Sequence, residues 1–395
     1  MTNKLIMRGI TAWMALMLIL CVGPTARSAD FYDSSGLDLV VVHGTLLRYE
    51  PLTLPPFYRA KAWRILYATR DYADRPVTSS GTVILSNYAP AARNRRIVAW
   101  AHPTSGINRR CAPSMRSSPI ESISGINELI SGGYIIAATD YPGLGTSGTF
   151  GFLIGKGQGQ AAIDSVRAAR QIPGVGGSSL YALWGYSQGG HSALFAAGMS
   201  TTYAPELSLV GVATAAPPTN LNKLLNKDIN SVDGRIFAAL TLLSWSKAYD
   251  VPMNSLVDDD VTRTVTELND ICIDDLDGKL KMLAAQEPLA KKFLNYNPNT
   301  RQPWKGLLQQ NSVIGISGRT AAFISQGADD ELVRPSVTRE FIGRLCRTGI
   351  SVSYDLVEGA DHEKIARLSA ATAIAWIGDR FEGKSPLNSC ESMKP

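Results

Sequence analysis

The sequence predicts an α/β fold in which a mostly parallel sheet is interrupted by an inserted helical cap. Short, near-continuous apolar runs alternate with segments of helical spacing, which is typical of a parallel sheet covered on both faces. Residues 219–312 depart from this alternation; they are rich in Asn, Asp, Lys and Leu and too long for a loop. With 395 residues, 45% of them apolar, the chain can form one large domain or two to three smaller ones.

The first 29 residues predict an export signal. Lys4 and Arg8 precede the apolar run 10–22, and small residues follow that run. The run is shorter than the ~20 residues that span a bilayer, although a signal anchor stays an alternative. Arg27 obscures the cleavage position. We therefore expect a secreted or periplasmic protein.

Charge argues against a nucleic-acid partner. The formal net charge is +5, and removal of residues 1–29, which hold three basic residues and no acid, would leave +2. A balance so near zero gives no electrostatic footprint for nucleic acid or for an anionic membrane. The apolar content and the 18% of charged residues also exclude a disordered chain.

Four cysteines remain after the predicted signal: Cys111, Cys272, Cys346 and Cys390. An even count in an exported protein predicts two disulfides, with three pairings open. The long, irregular spacings are unlike those of a zinc site, and free buried thiols are the alternative.

Strands and helices alternate along the rest of the chain. A β-rich opening region precedes central apolar strands, and Pro173 ends the first long helix. The insertion divides the core into residues 30–218 and 313–395, with the cap at 219–312. The predicted strands are 37–42, 64–69, 80–85, 97–101, 134–139, 180–186, 209–215, 321–325 and 351–357, and the predicted helices are 158–171, 190–199 and, in the cap, 235–246.

The chemistry concentrates in Gly185-Tyr186-Ser187-Gln188-Gly189, which matches G-x-S-x-G. This pattern places a serine on a sharp strand-to-helix turn, with glycines leaving room for close packing. An apolar strand precedes it and a small-residue helix follows, as the motif requires. Ser187 is therefore the candidate nucleophile, and the Gln188 amide the first oxyanion donor. The alternative is a Gly-Ser packing turn.

A serine nucleophile needs a base, and the chain has four histidines. His43 lies far upstream, and His102 follows a central strand, where an oxyanion loop belongs. His191 is one helical turn past the serine, which favours a packing role. His362 follows the predicted last strand, 351–357, and the order Ser, acid, His is typical of this arrangement. We expect His362 to be the base; a surface loop histidine is the alternative.

The acid should follow the strand 321–325, where Asp329 and Asp330 compete. A carboxylate is needed to hold the imidazole tautomer and stabilise the imidazolium. In the common G-x-x-D pattern of this turn, Asp330 takes the last place after Gly327. We predict Asp330 as the acid and Asp329 as a turn or cap residue.

Four segments together resemble the secretory lipase family, the group that contains the fungal lipase A enzymes. They are GYSQGG at 185–190, WAHPTSG at 100–106, CAPS at 111–114 and TDYPGLG at 139–145. CAPS and DYPGLG are fairly specific, whereas G-x-S-x-G alone is not. The resemblance extends over nearly the whole exported chain.

This resemblance implies an α/β-hydrolase core with a helical cap over an acyl tunnel. It implies a serine carboxylester hydrolase, a lipase or esterase acting on acyl esters such as acylglycerols, with Ser187, Asp330 and His362 as the catalytic triad. The family's acid precedes a Glu and two branched residues, as Asp330 does, which supports Asp330 over Asp329. The implied disulfides are Cys111–Cys272 and Cys346–Cys390.

One position departs from many bacterial relatives, which have Gly where Pro103 stands. Proline has no amide hydrogen, so the second oxyanion donor cannot be Pro103. We assign that role to the Thr104 region, with the Ser105 amide or a side chain as alternatives. Asp140, in the DYPGLG loop, is expected to fix the loop rather than to react.

No metal or organic cofactor is implied. The expected partners are small-molecule or lipid ester substrates, with a lipid interface as a candidate contact and no nucleic acid. A peptidase or amidase on the same core, an acyltransferase, and a non-catalytic binding protein with this fold are the alternative functions. The sequence leaves acyl-chain length and oligomeric state open.

Overall fold

A computed structural model describes residues 30–229, 231–273, 276–291, 293–318 and 320–392. The predicted signal segment, 1–29, lies outside the described residues. Contacts between Cα atoms divide the chain into Met1–Phe31 and Tyr32–Pro395, and every element below belongs to the second unit. Within the described ranges, no helix has the length and apolar character needed to cross a lipid bilayer.

The core is one nine-stranded sheet, with strand order β1-β2-β3-β5-β4-β6-β7-β8-β9 among the described residues. Strands β1, β2, β3 and β5 pair antiparallel in that order, and β5, β4, β6, β7, β8 and β9 pair parallel. This confirms the predicted mostly parallel α/β sheet. The strands are β1 (Leu46–Leu52), β2 (Ala60–Arg70), β3 (Pro76–Ser86), β4 (Arg95–Ala101), β5 (Ile135–Thr139), β6 (Gly177–Tyr186), β7 (Ser208–Ala215), β8 (Ala322–Gly327) and β9 (Val352–Val357).

Helices cover both faces of this sheet. Along β4, Ile97 and Ala99 face one buried apolar cluster while Val98 and Trp100 face another. This alternation follows from the period-two geometry of a strand, and burial on both sides explains why the strand is apolar throughout. The helices are α1 (Ile126–Ser131), α2 (Gly155–Gln171), α3 (Gln188–Tyr203), α4 (Leu221–Asp228), α5 (Val232–Tyr249), α6 (Asp259–Glu267), α7 (Leu276–Lys291), α8 (Trp304–Gln310), α9 (Pro335–Arg347) and α10 (His362–Phe381).

The predicted strand at 37–42 is wrong. These residues form an irregular segment, with Val40 92% exposed and Val42 75% exposed. Backbone pairing with β2 starts only afterwards, where the Gly44 amide donates to the Ala68 carbonyl at 2.7 Å. Among the described residues no strand pairs with this run, and an apolar pattern alone does not make a strand.

Helices α4 to α8 occupy the predicted insertion between β7 and β8. Helix α5 is fixed to the loop after β5 by side-chain hydrogen bonds. The Ser244 hydroxyl donates to the Phe150 carbonyl at 2.7 Å and accepts from the Phe152 amide at 2.8 Å, while Trp245 Nε1 donates to the Phe152 carbonyl at 2.8 Å. Part of the insertion is thus bonded directly to the core. The assignment of 219–312 as a separate cap stays a prediction.

Two disulfides are present in the pairing that the resemblance implied. Cys111–Cys272 joins the loop after β4 to the insertion, across 161 positions of sequence. Cys346–Cys390 joins the end of α9 to the C-terminal segment, across 44 positions. The first disulfide therefore links the core to the inserted helices.

Candidate active site

Ser187 lies at the turn between β6 and α3, with φ 53° and ψ −122°. A non-glycine residue rarely adopts such a backbone conformation, and the Ser187 amide holds it by donating to the Ala215 carbonyl at 2.9 Å. The flanking glycines are required by packing. A Cβ at Gly189 would lie 1.8 Å from the Ala101 carbonyl oxygen, and one at Gly185 would lie 2.2 Å from the Gly189 carbonyl oxygen.

Three predicted site residues form one hydrogen-bonded chain. His362 Nε2 lies 2.9 Å from Ser187 Oγ, and His362 Nδ1 lies 2.8 Å from Asp330 Oδ2. His362 is the first residue of α10 rather than a loop residue, and Asp330 lies in the turn after β8. The parallel sheet brings these segments together because β6, β8 and β9 end at the same edge.

Asp330 is buried, with only 2% of its surface exposed, and its carboxylate is fully hydrogen-bonded. Oδ1 accepts from the amides of Leu332 at 3.0 Å and Val333 at 2.7 Å, and Oδ2 also accepts from Gln326 Nε2 at 3.0 Å. Asp329 is exposed on the same turn. The hydrogen-bond donors around Asp330 compensate its burial and fix the oxygen that faces the imidazole. The supporting role of Gln326 carried no signal in the sequence.

Two of the remaining histidines have structural contacts elsewhere. His191 is fully buried in α3, its Nε2 lies 2.7 Å from the Asn311 carbonyl oxygen, and burial lowers its pKa to about 4. His43 Nδ1 lies 3.1 Å from Asp164 Oδ1, beside α2. His191 therefore has the packing role that the sequence favoured.

The loop after β4 is held by buried polar groups. His102 Nε2 lies 3.2 Å from the Asp140 carbonyl oxygen, and burial lowers the pKa of His102. The Asp140 carboxylate accepts hydrogen bonds from the Ser80 hydroxyl at 2.6 Å, from the Ser114 amide at 2.9 Å and from the Ser114 hydroxyl. The Tyr141 hydroxyl donates to the His102 carbonyl at 3.1 Å. Asp140 thus ties together the loops after β4 and β5.

Both candidate oxyanion residues border the nucleophile's cavity. Gln188 begins α3 directly after Ser187, and Thr104 lies in the loop after β4. Thr104, Ser187 and Gln188 all line the same cavity. Two backbone amides, one from each side of the serine, are the arrangement that stabilises a developing oxyanion.

This cavity extends from Ser187 into the inserted helices. Its walls beyond the serine are mainly apolar side chains of α4, α5 and α8. They include Leu221, Leu224 and Leu225 of α4, Phe237, Ala238, Leu242 and Trp245 of α5, and Trp304 and Leu308 of α8.

Comparison with known protein families identifies the family of this chain. The secretory lipase family model matches residues 118–389. The chain belongs to the secretory lipase family. Membership in this family makes it a carboxylester hydrolase of the lipase and esterase type.

Relatives of this secretory lipase family member include fungal enzymes. Lipase 2 of Candida albicans is 28% identical over 92% of this chain and 83% of the relative. The secreted triacylglycerol lipase LIP4 of Malassezia globosa is 25% identical over 89% of this chain and 80% of the relative.

Solved structures confirm the α/β-hydrolase fold of this family member. Lipase A of Candida antarctica matches with a TM-score of 0.76 and 19% identity, over 89% of this chain and 84% of that one. LipA of Xanthomonas oryzae, a rice cell wall degrading esterase, matches with a TM-score of 0.73 and 19% identity, over 87% and 99%.

Proposed function

We propose that this family member is an exported serine hydrolase that cleaves esters of apolar acyl chains, acylglycerols among them. The observation that carries the proposal is the hydrogen-bonded chain Ser187–His362–Asp330, whose serine borders an apolar cavity. The hydrogen-bonded arrangement of nucleophile, base and acid is the one used in acyl transfer, and their chain order is typical of this fold.

In the proposed first step, Ser187 Oγ attacks the ester carbonyl carbon while His362 Nε2 takes the hydroxyl proton. Asp330 holds the imidazole tautomer and stabilises the imidazolium. The carbonyl oxygen becomes negatively charged and accepts hydrogen bonds from the amides of Gln188 and the Thr104 region. Collapse of this intermediate expels the alcohol, which takes the proton from His362, and leaves an acyl-enzyme.

In the second step, His362 removes a proton from water, and the resulting nucleophile attacks the acyl carbonyl. The same amides donate hydrogen bonds to the oxyanion of the second tetrahedral intermediate. Its collapse releases the carboxylic acid and returns the proton to Ser187. An alcohol replacing water would give transesterification, so product analysis with added alcohol separates hydrolase from acyltransferase.

The lining of the cavity supports the proposal that the protein recognises the apolar acyl chain of its substrate. Nearly all of its wall beyond the reacting serine is aliphatic or aromatic. Trp245 Nε1 donates to the Phe152 carbonyl at 2.8 Å. Trp304 Nε1 donates to the Ser255 hydroxyl at 3.0 Å. Their indole donors are therefore satisfied by protein partners, which suits a wall that contacts hydrocarbon. The Malassezia relative is named as a triacylglycerol lipase, in agreement with this substrate class.

Export is supported by the N-terminal pattern of residues 1–29, by the two disulfides and by the family's secretory members. Expression of the full chain in a Gram-negative host tests it. We expect the mature protein outside the cytoplasm with an N-terminus created near residue 29. Retention of residues 1–29 on a cytoplasmic protein would contradict export.

The test of the activity is a p-nitrophenyl ester series from short to long acyl chains, with matched anilides as amide substrates. We expect Ser187-dependent ester hydrolysis that exceeds amide hydrolysis by orders of magnitude. Ser187→Ala should fold normally and lose activity by several orders of magnitude. Retained activity in this variant would contradict the assignment, and equal rates on anilides would favour the amidase alternative.

A further inference from the structure

We propose that residues Asp270–Ile273, which we call the strap, position the oxyanion loop and thereby couple the inserted helices to catalysis. This inference rests on the proposed function, because it assigns a role to residues that act through the Thr104 region. The strap follows α6 in the insertion, and it runs beside the loop that leaves β4.

The strap contacts the loop directly after Thr104. The Ile273 amide donates to the Ser105 carbonyl at 3.0 Å, and Gly106 forms an isolated antiparallel β-bridge with Cys272. The Cys111–Cys272 disulfide closes the same contact covalently. Further along the loop, Asn108 Nδ2 donates to Asp270 Oδ1 at 2.9 Å, and the Arg110 guanidinium donates to the Asp270 carbonyl.

Thr104 therefore lies between two anchors. On its N-terminal side, His102 is held by the Asp140 carbonyl and by the Tyr141 hydroxyl, which belong to the core. On its C-terminal side, Ser105 and Gly106 are held by the strap. A short backbone segment fixed at both ends holds its amides in fixed orientations, and oxyanion stabilisation depends on donors placed before the reaction starts. Release of the C-terminal anchor should therefore misplace the Thr104 side of the oxyanion site.

The fit between strap and loop is tight at Gly106. This residue has φ +127°, and a Cβ there would lie 2.5 Å from the Ile271 carbonyl oxygen and 2.6 Å from Cys111 Sγ. Gly106→Ala must therefore push the loop and the strap apart, although both cysteines stay in the sequence. Gly148 provides a matched control, because its φ is +108° and a Cβ there would meet none of the described residues within 4 Å.

The experiment compares kcat and KM of four variants, on a short and a long p-nitrophenyl ester. Gly106→Ala and the double variant Cys111→Ser/Cys272→Ser break the strap contact. Gly148→Ala and Cys346→Ser/Cys390→Ser repeat the same chemical changes away from it. Circular dichroism and thermal unfolding establish that the assay temperature lies below the unfolding transition of every variant.

We expect the two strap variants to lose at least tenfold in kcat on both esters, with KM within about twofold of wild type, because the lost interaction forms only in the transition state. The controls should keep kcat within about twofold. Equal kcat in Gly106→Ala and wild type would overturn the inference, as would an equal loss in the two disulfide variants. If Cys111→Ser/Cys272→Ser does not fold, the kcat of Gly106→Ala alone tests the inference. Failure of the proposed function is distinguishable, since wild type would then show no Ser187-dependent hydrolysis.

Discussion

The Tyr186 hydroxyl donates a 2.6 Å hydrogen bond to the backbone carbonyl of His362, 176 positions further along the chain. The two rings also contact each other, with centroids 5.4 Å apart. Tyr186 directly precedes Ser187, so one bond connects the turn that carries the candidate nucleophile to the backbone of the candidate base. We infer that Tyr186 sets the position of the imidazole relative to the serine hydroxyl.

Replacement of Tyr186 by Phe removes this bond and keeps the ring. A hydrogen bond of this kind contributes about 1 kcal/mol, so we expect kcat to fall about fivefold with KM nearly unchanged. Steady-state kinetics on a short soluble ester measure this effect. Unchanged kcat, or a change confined to KM, would show that the bond does not position the base.

The two aspartates of the turn after β8 give a matched pair of variants. Asp330→Asn should lower kcat by about 10⁴-fold, because an amide supports the wrong imidazole tautomer and cannot stabilise the imidazolium. Asp329→Asn should have little effect, since Asp329 is exposed on the same turn. Single-ester kinetics on both variants separate the two assignments. A large loss in Asp329→Asn with normal activity in Asp330→Asn would reverse them.

Acyl-chain preference should respond to the cavity wall. Ala238 is buried on α5 and lines the cavity, so Ala238→Leu adds three carbon atoms to that wall. We expect a loss on the order of tenfold in kcat/KM for long-chain esters relative to butyrate. Ala284 is exposed on α7, so Ala284→Leu is the control and should leave the profile unchanged. A uniform loss over all chain lengths would argue that the acyl group binds elsewhere.

Acid should destabilise the fold through His191. Burial lowers its folded-state pKa from 6.5 to about 4, so the unfolded chain takes up the proton first as the pH falls. The folded state therefore loses stability from about pH 6.5 down to about pH 4, by about 3 kcal/mol in total. The buried His102, whose pKa is also lowered, adds to the same trend.

His191→Gln tests this assignment, because Gln can still donate to the Asn311 carbonyl but does not titrate. Denaturant unfolding at pH 7 and pH 4.5 should show a smaller stability loss for the variant than for wild type, by about 2 to 3 kcal/mol. Equal losses in both proteins would mean that another group governs acid unfolding.

Local patterns explain what the sequence predicted well. The turn around Ser187 depends on adjacent residues, and the clash that a Cβ would create at Gly185 or Gly189 is the physical reason for both glycines. His362 could be identified as the candidate base because the chain has only four histidines. The choice of Asp330 needed a turn pattern and a family resemblance, since two adjacent aspartates have the same chemistry.

Contacts between distant segments could not be predicted in this way. The wrong strand at 37–42 has an apolar pattern, but strand formation depends on a partner that the pattern does not reveal. The bridge between Gly106 and Cys272 and the bond between Tyr186 and His362 join segments more than 160 positions apart. The implied Cys111–Cys272 disulfide already joined the first pair of segments, but nothing in the residues near Tyr186 or His362 predicts the bond between them.

Covalent trapping of the acyl-enzyme step shows whether Ser187 is the nucleophile. The purified protein is incubated with a p-nitrophenyl alkylphosphonate, and the modified residue is identified by mass spectrometry of its peptides. We expect one phosphonyl group per chain, on Ser187, with no labelling of Ser187→Ala and strongly slowed labelling of His362→Ala. An adduct on a different residue, or an active wild-type enzyme that the phosphonate does not modify, would contradict it.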